Sequence, residues 1–201
     1  MMTKIKLCGM RRPQDVIAAR DLKADYVGFV LSEGFKRSIG LGTFCELQSY
    51  LIGSEVKKVG VFVDEPIDNI MKYYGAMLDM IQLHGSEDND YIHRLRLHTD
   101  RPVIKAFKIT SAADIAAAEQ SAADYILLDS GTGTGVTFDH SLISSLTRPY
   151  FLAGGLTAQN VGEAVETLQP FAVDASSSLE TKGQKDKNKM TEFVNAVRKK
   201  G

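Results

Sequence analysis

Short runs rich in Val, Ile, Leu, Phe and Tyr recur along the chain at Ile5–Cys8, Tyr26–Leu31, Lys57–Val63, Met77–Leu83, Val103–Phe107, Tyr125–Asp129, Tyr150–Ala153 and Phe171–Asp174. Short apolar runs of this kind, bounded by turn residues, predict strands. Amphipathic stretches between them predict helices over Pro13–Lys23, Thr43–Leu51, Ile67–Tyr74, Glu87–His98, Ala112–Gln120, Ser141–Leu146, Asn160–Thr167 and Lys187–Lys200. Successive strand centres lie roughly 20–32 residues apart, about one βα unit per step. Before the third helix stands Asp64-Glu65-Pro66, where the Asp side chain is expected to cap amide donors and Pro to pre-set the first turn.

Near-continuous apolar strands separated by helices predict a parallel sheet, because parallel strands need crossovers and are covered on both faces. Eight such units in 201 residues predict an α/β fold, a closed (β/α)8 or TIM barrel. No linker or shift in composition divides the chain, so one domain is expected over residues 1–201. The rival is an open doubly wound sheet, whose dinucleotide-binding form carries a glycine fingerprint after its first strand. The nearest imitation, Gly131-Thr132-Gly133-Thr134-Gly135-Val136, follows the sixth run and has Val where the third glycine belongs.

Composition narrows the function classes. The 24 Lys+Arg against 25 Asp+Glu leave a net charge of −1, which argues against a nucleic-acid surface. Met1–Cys8 lacks the apolar run of a signal peptide, and no stretch approaches the ~18 apolar residues of a membrane span. A soluble, cytoplasmic protein is expected. Cys8 and Cys45 are the two cysteines, too few for a disulfide framework, and a reducing compartment suits them. Cys45, inside the second predicted helix, is expected to be a small buried hydrophobe. His93 and His98 are five residues apart and on a helix would point about 140° away from each other; no metal site is expected.

In such a barrel the chemistry lies at the C-terminal strand ends and the loops after them. Cys8 ends the first strand, Asp129 the sixth, Ala153-Gly154-Gly155-Leu156-Thr157 follows the seventh, and Asp174 with Ser176-Ser177-Ser178 closes the eighth. Small residues after the last two strands let backbone N–H groups approach a phosphate, although glycine and serine are also ordinary turn residues. Cys8 is equally readable as a buried apolar thiol. For Asp129 the choices are a helix cap, an ion pair, or an acid or base at the barrel mouth. Arg37, in the loop after the second strand, is either solvated or paired with a substrate carboxylate. His84, in Gln82-Leu83-His84-Gly85, either lines the mouth or caps the next helix.

Taken together, these segments resemble the phosphoribosylanthranilate isomerase family over nearly the whole chain. The resemblance is carried by Lys6-Leu7-Cys8-Gly9, Gly28-Phe29-Val30, Val59-Gly60-Val61-Phe62-Val63, Gln82-Leu83-His84-Gly85, Ile104-Lys105-Ala106-Phe107, Leu128-Asp129 with Gly133–Asp139, and Ala153-Gly154-Gly155-Leu156 with Asn160-Val161. It implies a cofactor-free isomerase of tryptophan biosynthesis that performs an Amadori rearrangement on a phosphosugar, as a monomer or homodimer. The family's general base falls on Cys8 and its general acid on Asp129. The arginine associated with the anthranilate carboxylate falls on Arg37, and the phosphate loops fall on Gly154-Gly155 and Ser176-Ser177. His84 joins the expected substrate contacts. The chain departs from the family at Phe35-Lys36, where Ser-Pro is common, at Ser178, where Gly follows the serines, and at His140, where Trp often stands.

Two other readings stay open on the sequence. A histidine-pathway isomerase doing the same rearrangement is expected to use carboxylates for both roles, which Cys8 opposes. A non-catalytic phosphosugar-binding barrel is expected to be indifferent to Cys8→Ser.

Overall fold

In a computed structural model, described for residues 2–129, 143 and 146–200, eight parallel strands close into a barrel in sequential order. They are β1 (Lys4–Cys8), β2 (Tyr26–Val30), β3 (Lys57–Phe62), β4 (Met80–Leu83), β5 (Val103–Lys108), β6 (Tyr125–Asp129), β7 (Tyr150–Ala153) and β8 (Ala172–Ala175). Seven helices are seen among the described residues: α1 (Pro13–Asp21), α2 (Leu41–Ser49), α3 (Ile67–Tyr73), α4 (Asn89–Arg96), α5 (Ala112–Glu119), α6 (Val161–Leu168) and α7 (Lys187–Arg198). The expected helix Ser141–Leu146, apart from Ile143 and Leu146, lies outside the described residues, as do the glycine-rich run 131–136, the motif 133–139 and His140. No helix among the described residues is long and apolar enough to cross a membrane.

Strand alternation sorts the side chains into two cores. Outward residues such as Ile5, Leu7, Val27, Phe29, Leu83 and Ile126 pack beneath the helices in one large cluster. Inward residues Tyr26, Val59, Met80, Ile104, Leu127, Phe151 and Ala172 form a second cluster inside the barrel. Aromatic rings stopper the N-terminal end: Phe151 lies 5.5 Å from Tyr26 and 5.8 Å from Tyr125, and Tyr125 stacks on Phe171 at 4.9 Å. The interior is thereby filled from below, and space remains at the C-terminal mouth.

A repeated device starts alternate strands. Asp25, Asp79 and Asp124, each just before an even-numbered strand, accept from the backbone N–H of Ile5, Lys58 and Val103 on the preceding strand at 2.9, 2.8 and 2.7 Å. This is why β4 begins at Met80 rather than at the expected Met77. Met77 still belongs to the turn out of α3, its N–H bonded to Tyr74 O, and pairing begins only after Asp79 engages β3.

Helix starts were readable in type but not always in residue. Asp88 caps α4 through Tyr91 N at 2.8 Å, and Asp186 caps α7 through Asn188 N at 2.9 Å. Asp64 does not cap α3, contrary to expectation: the position before that helix is Pro66, with no side-chain cap. The Asp64 carboxylate instead accepts from Ser86 N and Oγ at 2.7 and 2.8 Å, tying the loop after β3 to the loop after β4. Cys45 is likewise corrected. It is exposed, because the buried face of α2 is Phe44 and Leu47.

After β8 the chain makes a short 3-10 turn and a two-stranded hairpin, β9 (Glu180–Thr181) and β10 (Gln184–Lys185). Its two-residue turn has Lys182 at φ 51° and Gly183 at φ 75°, the mirror-image turn whose twist suits a hairpin. Ion pairs hold the hairpin to the barrel mouth. Glu180, its side chain only 6% exposed, takes Arg37 Nε and Nη2 at 2.6 and 2.9 Å and Lys185 Nζ at 3.0 Å.

These donors hold the Glu180 carboxyl down at about 2, below its ordinary 4.5, in spite of its burial. A depressed carboxyl contributes stability that is fully present above its unfolded value and lost as pH falls through the folded one. Glu180→Gln is therefore expected to narrow its stability gap to the wild type as pH drops from about 5 toward about 2. Urea midpoints of both proteins across that range measure it; a gap independent of pH would reject the role.

Candidate active site

All eight residues nominated from the sequence, Cys8, Arg37, His84, Asp129, Gly154, Gly155, Ser176 and Ser177, line one cavity of about 460 Å³ at the C-terminal mouth. They come from six separate stretches of chain, brought together by barrel closure. The departures Phe35, Lys36 and Ser178 line the same cavity.

Cys8 projects inward because residues two apart on a strand share a face, and Leu7 between it and Lys6 points to the helices. β2 runs beside it in the register Cys8↔Gly28. A Cβ on Gly28 would lie 2.5 Å from Cys8 Sγ and 3.2 Å from Cys8 Cα, so the thiol packs over bare backbone. Its own carbonyl accepts from Ser176 Oγ at 3.0 Å, which links the end of β1 to the loop after β8.

Burial pushes the Cys8 thiol up, while the Lys6 and Lys185 ammonium groups pull it down and Asp174 opposes them. Lys6 is fully buried inside the barrel, with Nζ donating to Asp174 Oδ2 at 2.7 Å. On the sequence alone Lys6 has no separate role, and Asp174 figures only as the end of the eighth strand. The legible signal was a lysine and an aspartate inside otherwise apolar strands, two residues before Cys8 and two before Ser176.

His84 lines the mouth rather than capping α4, whose cap is Asp88. Gln82, buried on β4, places Nε2 2.9 Å from His84 Nδ1. With Gln82 donating, the ring proton resides on Nε2, which lies 4.0 Å from Asp129 Oδ2. Burial, then the Lys6 charge, lower the imidazole below its ordinary value against the pull of Asp129. The neutral ring is thereby favoured, and with Gln82 donating to Nδ1 its Nε2 faces the Asp129 carboxyl.

Arg37 is not a solvated loop residue. Glu180 occupies Nε and Nη2, and Nη1 has no acceptor among the described residues. The fork is held rigidly with one edge left for a ligand. Glu180 and Lys185 were also missed, since nothing in Glu180–Lys185 marks a hairpin except the turn that forms it.

Gly154 and Gly155, after β7, sit at φ 89° and 63°, a backbone that only glycine adopts at little cost. Ser176–Ser178, after the neighbouring strand β8, line the same cavity. The Ser176 hydroxyl is already bonded to Cys8 O and receives Lys185 Nζ at 3.3 Å, so this segment would meet an anion mainly with backbone and with Ser177 and Ser178. Among the described residues no cluster of His, Cys, Asp and Glu has the makings of a metal site.

This arrangement can be set against known proteins. The family model for N-(5'-phosphoribosyl)anthranilate isomerase matches residues 5–196. The protein of that name from Endomicrobium trichonymphae is 41% identical over 203 residues, covering 98% of this chain and 99% of its own. A solved phosphoribosyl anthranilate isomerase in complex with reduced 1-(o-carboxyphenylamino)-1-deoxyribulose 5-phosphate superposes with a TM-score of 0.86 at 31% identity, covering 98% of this chain and 100% of its own. The monomeric form made from the dimeric Thermotoga maritima isomerase gives 0.86 at 32% identity, with 98% and 100% coverage. With the family model spanning almost every strand of the barrel and relatives aligned end to end, the chain belongs to the N-(5'-phosphoribosyl)anthranilate isomerase family.

Proposed function

We propose that this chain isomerises N-(5'-phosphoribosyl)anthranilate to 1-(2-carboxyphenylamino)-1-deoxyribulose 5-phosphate, with Asp129 as general acid and Cys8 as general base. The observation that carries the reading is the meeting of a thiol, a carboxyl group, an arginine fork and two small-residue loops in a single cavity.

The chemistry needs one acid and one base. Asp129 in its acid form gives a proton to the furanose ring oxygen, the bond from that oxygen to C1′ breaks, and the anilino nitrogen lone pair forms a C1′=N Schiff base. The Cys8 thiolate takes the proton from C2′, and the released pair forms a C1′=C2′ enolamine as the nitrogen regains its lone pair. Gain of a proton at C1′ and loss of the C2′ hydroxyl proton give the ketone. His84 Nε2–H, facing Asp129, is suited to orient that carboxyl. The Nη1 edge of Arg37 is suited to the anthranilate carboxylate, and Gly154, Gly155, Ser176 and Ser177 surround the phosphate.

The dry setting of Cys8 fits a base that must be freed from its proton before it acts. A thiol pushed up by burial makes kcat rise with pH wherever chemistry limits turnover. The direct test of the whole reading is a turnover assay on freshly generated phosphoribosylanthranilate. A protein that binds the reduced product analogue yet gives no turnover would favour the non-catalytic barrel.

Asp129→Asn is expected to fold and to lose about 10²–10⁴-fold in kcat, because an amide cannot donate the ring-opening proton. Near-wild-type turnover in the folded variant would reject Asp129 as the acid. Cys8→Ser is expected to retain affinity for the product analogue, lose turnover by orders of magnitude and lose or displace the rising pH limb. Unimpaired turnover with lowered stability would instead identify Cys8 as a packed core thiol. Arg37→Ala is expected to weaken a carboxylate-bearing analogue by about 1.5–3 kcal/mol and to affect a phosphosugar lacking the anthranilate ring much less; calorimetric titration of both ligands makes the comparison, and equal losses would assign Arg37 to the phosphate.

A further inference from the structure

Among the described residues, Lys6 is one of the largest side chains completely enclosed by the protein. Burying a lysine in a barrel interior is costly even when it is paired, and an apolar pair of similar volume is often neutral or stabilising. Barrel closure alone therefore does not explain why β1 and β8 place Lys6 opposite Asp174. Lys6 shares the inward face of β1 with Cys8, two residues before it, and its ammonium is bonded to Asp174 on β8 while its charge favours the thiolate form of Cys8.

The charges around Cys8 do not cancel. From β1 comes Lys6, from β8 Asp174, from the hairpin Lys185 and Glu180, and from the loop after β2 Arg37. Three cations thus meet two carboxylates, leaving one positive charge in a buried cluster. Arg37 and Lys185 are both committed to Glu180, and among the cations it is Lys6, on the same face of β1, whose charge most favours the Cys8 thiolate. Across the cavity stand His84 and Asp129, and His84 feels the Lys6 charge.

We propose that Lys6 is a positioning residue for the base: its ammonium, held by Asp174, stabilises the Cys8 thiolate. Lys6 does not line the cavity and acts on the reaction through the thiol. Asp174 aims the ammonium through Oδ2, while its Oδ1 is buried with no partner among the described residues. This inference deepens the reading of Cys8 as the base and rests on it for its catalytic consequence, but the thiolate can be measured without turnover.

The test uses the full chain with Cys45→Ser, which leaves Cys8 as the one thiol. The pH dependence of alkylation by iodoacetamide reports the Cys8 thiolate. Lys6→Met alone would strand the Asp174 carboxylate, so the informative variant is Lys6→Met with Asp174→Asn, which removes both charges and keeps the volume. That variant is expected to bind the product analogue, to lose about tenfold or more of its thiolate at neutral pH, and to lose kcat in proportion with little change in KM, recovering at higher pH. An alkylation curve that stays with the parent, or a kcat loss that does not recover with pH, would reduce Lys6–Asp174 to a structural pair and overturn the proposal.

A second measurement needs no change at Lys6. In 15N-lysine-labelled Cys45→Ser protein, the Lys6 Nζ resonance, assigned by its loss in Lys6→Met, is expected to shift in step with Cys8 alkylation and to lose that shift in Cys8→Ser. A resonance that stays flat through the Cys8 titration would overturn the proposal even if the double variant did not fold. If Cys8→Ser instead kept its turnover, the general-base reading would fail while the alkylation curves still judged Lys6 on their own.

Discussion

The pairing of β1 with β8 joins residues 168 positions apart in the chain, and every other feature of the mouth depends on it. Until those strands meet, the sheet has two open edges, no interior, and no reason for Lys6 to leave water. Once they meet in the register Lys6↔Asp174, Cys8 is carried to the rim beside Ser176, and Ser176 Oγ bonds to the Cys8 carbonyl. One register thus seals the barrel and joins the thiol to one of the loops suited to a phosphate. A slip of one residue would turn the inward set outward.

Filling the interior from one end gives the site its depth. Tyr26, Tyr125, Phe151 and Phe171 occupy the N-terminal half with interlocked rings, while Cys8, Gln82, Asp129 and Asp174 occupy the level above them and border the cavity. Polar groups at that level are poorly hydrated, so charges there interact more strongly than in water and must be matched. The observed matches, Lys6 with Asp174, Arg37 and Lys185 with Glu180, and Gln82 with His84, meet most of that demand, leaving Gln82 Oε1 and Asp174 Oδ1 without partners among the described residues. They also orient the proposed reactive groups, so the network that makes the interior tolerable also prepares the chemistry.

The hairpin after β8 extends the same logic outward. Its four strand residues contribute Glu180 and Lys185, which lock Arg37 in place and reach the Ser176 carbonyl. A long loop arginine would otherwise spread over many rotamers. Held by two of its nitrogens, it presents one edge to the cavity with little entropy left to lose when a ligand arrives.

The order of strands and helices was legible in the sequence because short-range periodicity reports which face of each element avoids water. Cys8, Arg37, His84, Asp129, Gly154, Gly155, Ser176 and Ser177 could be nominated for the site because each follows or ends a predicted strand, where a parallel barrel gathers its loops. Other assignments needed the tertiary structure. Asp64 looked like a helix cap by local grammar, yet its nearest donors are in the loop after β4; Cys45 looked buried, yet its helix turns another face inward. Lys6, Asp174, Glu180 and Lys185 carry no local sign of being partners. Their roles arise from proximity across strand pairings and a hairpin, and electrostatic contact depends on distance in space and on exclusion of water, which local periodicity does not encode.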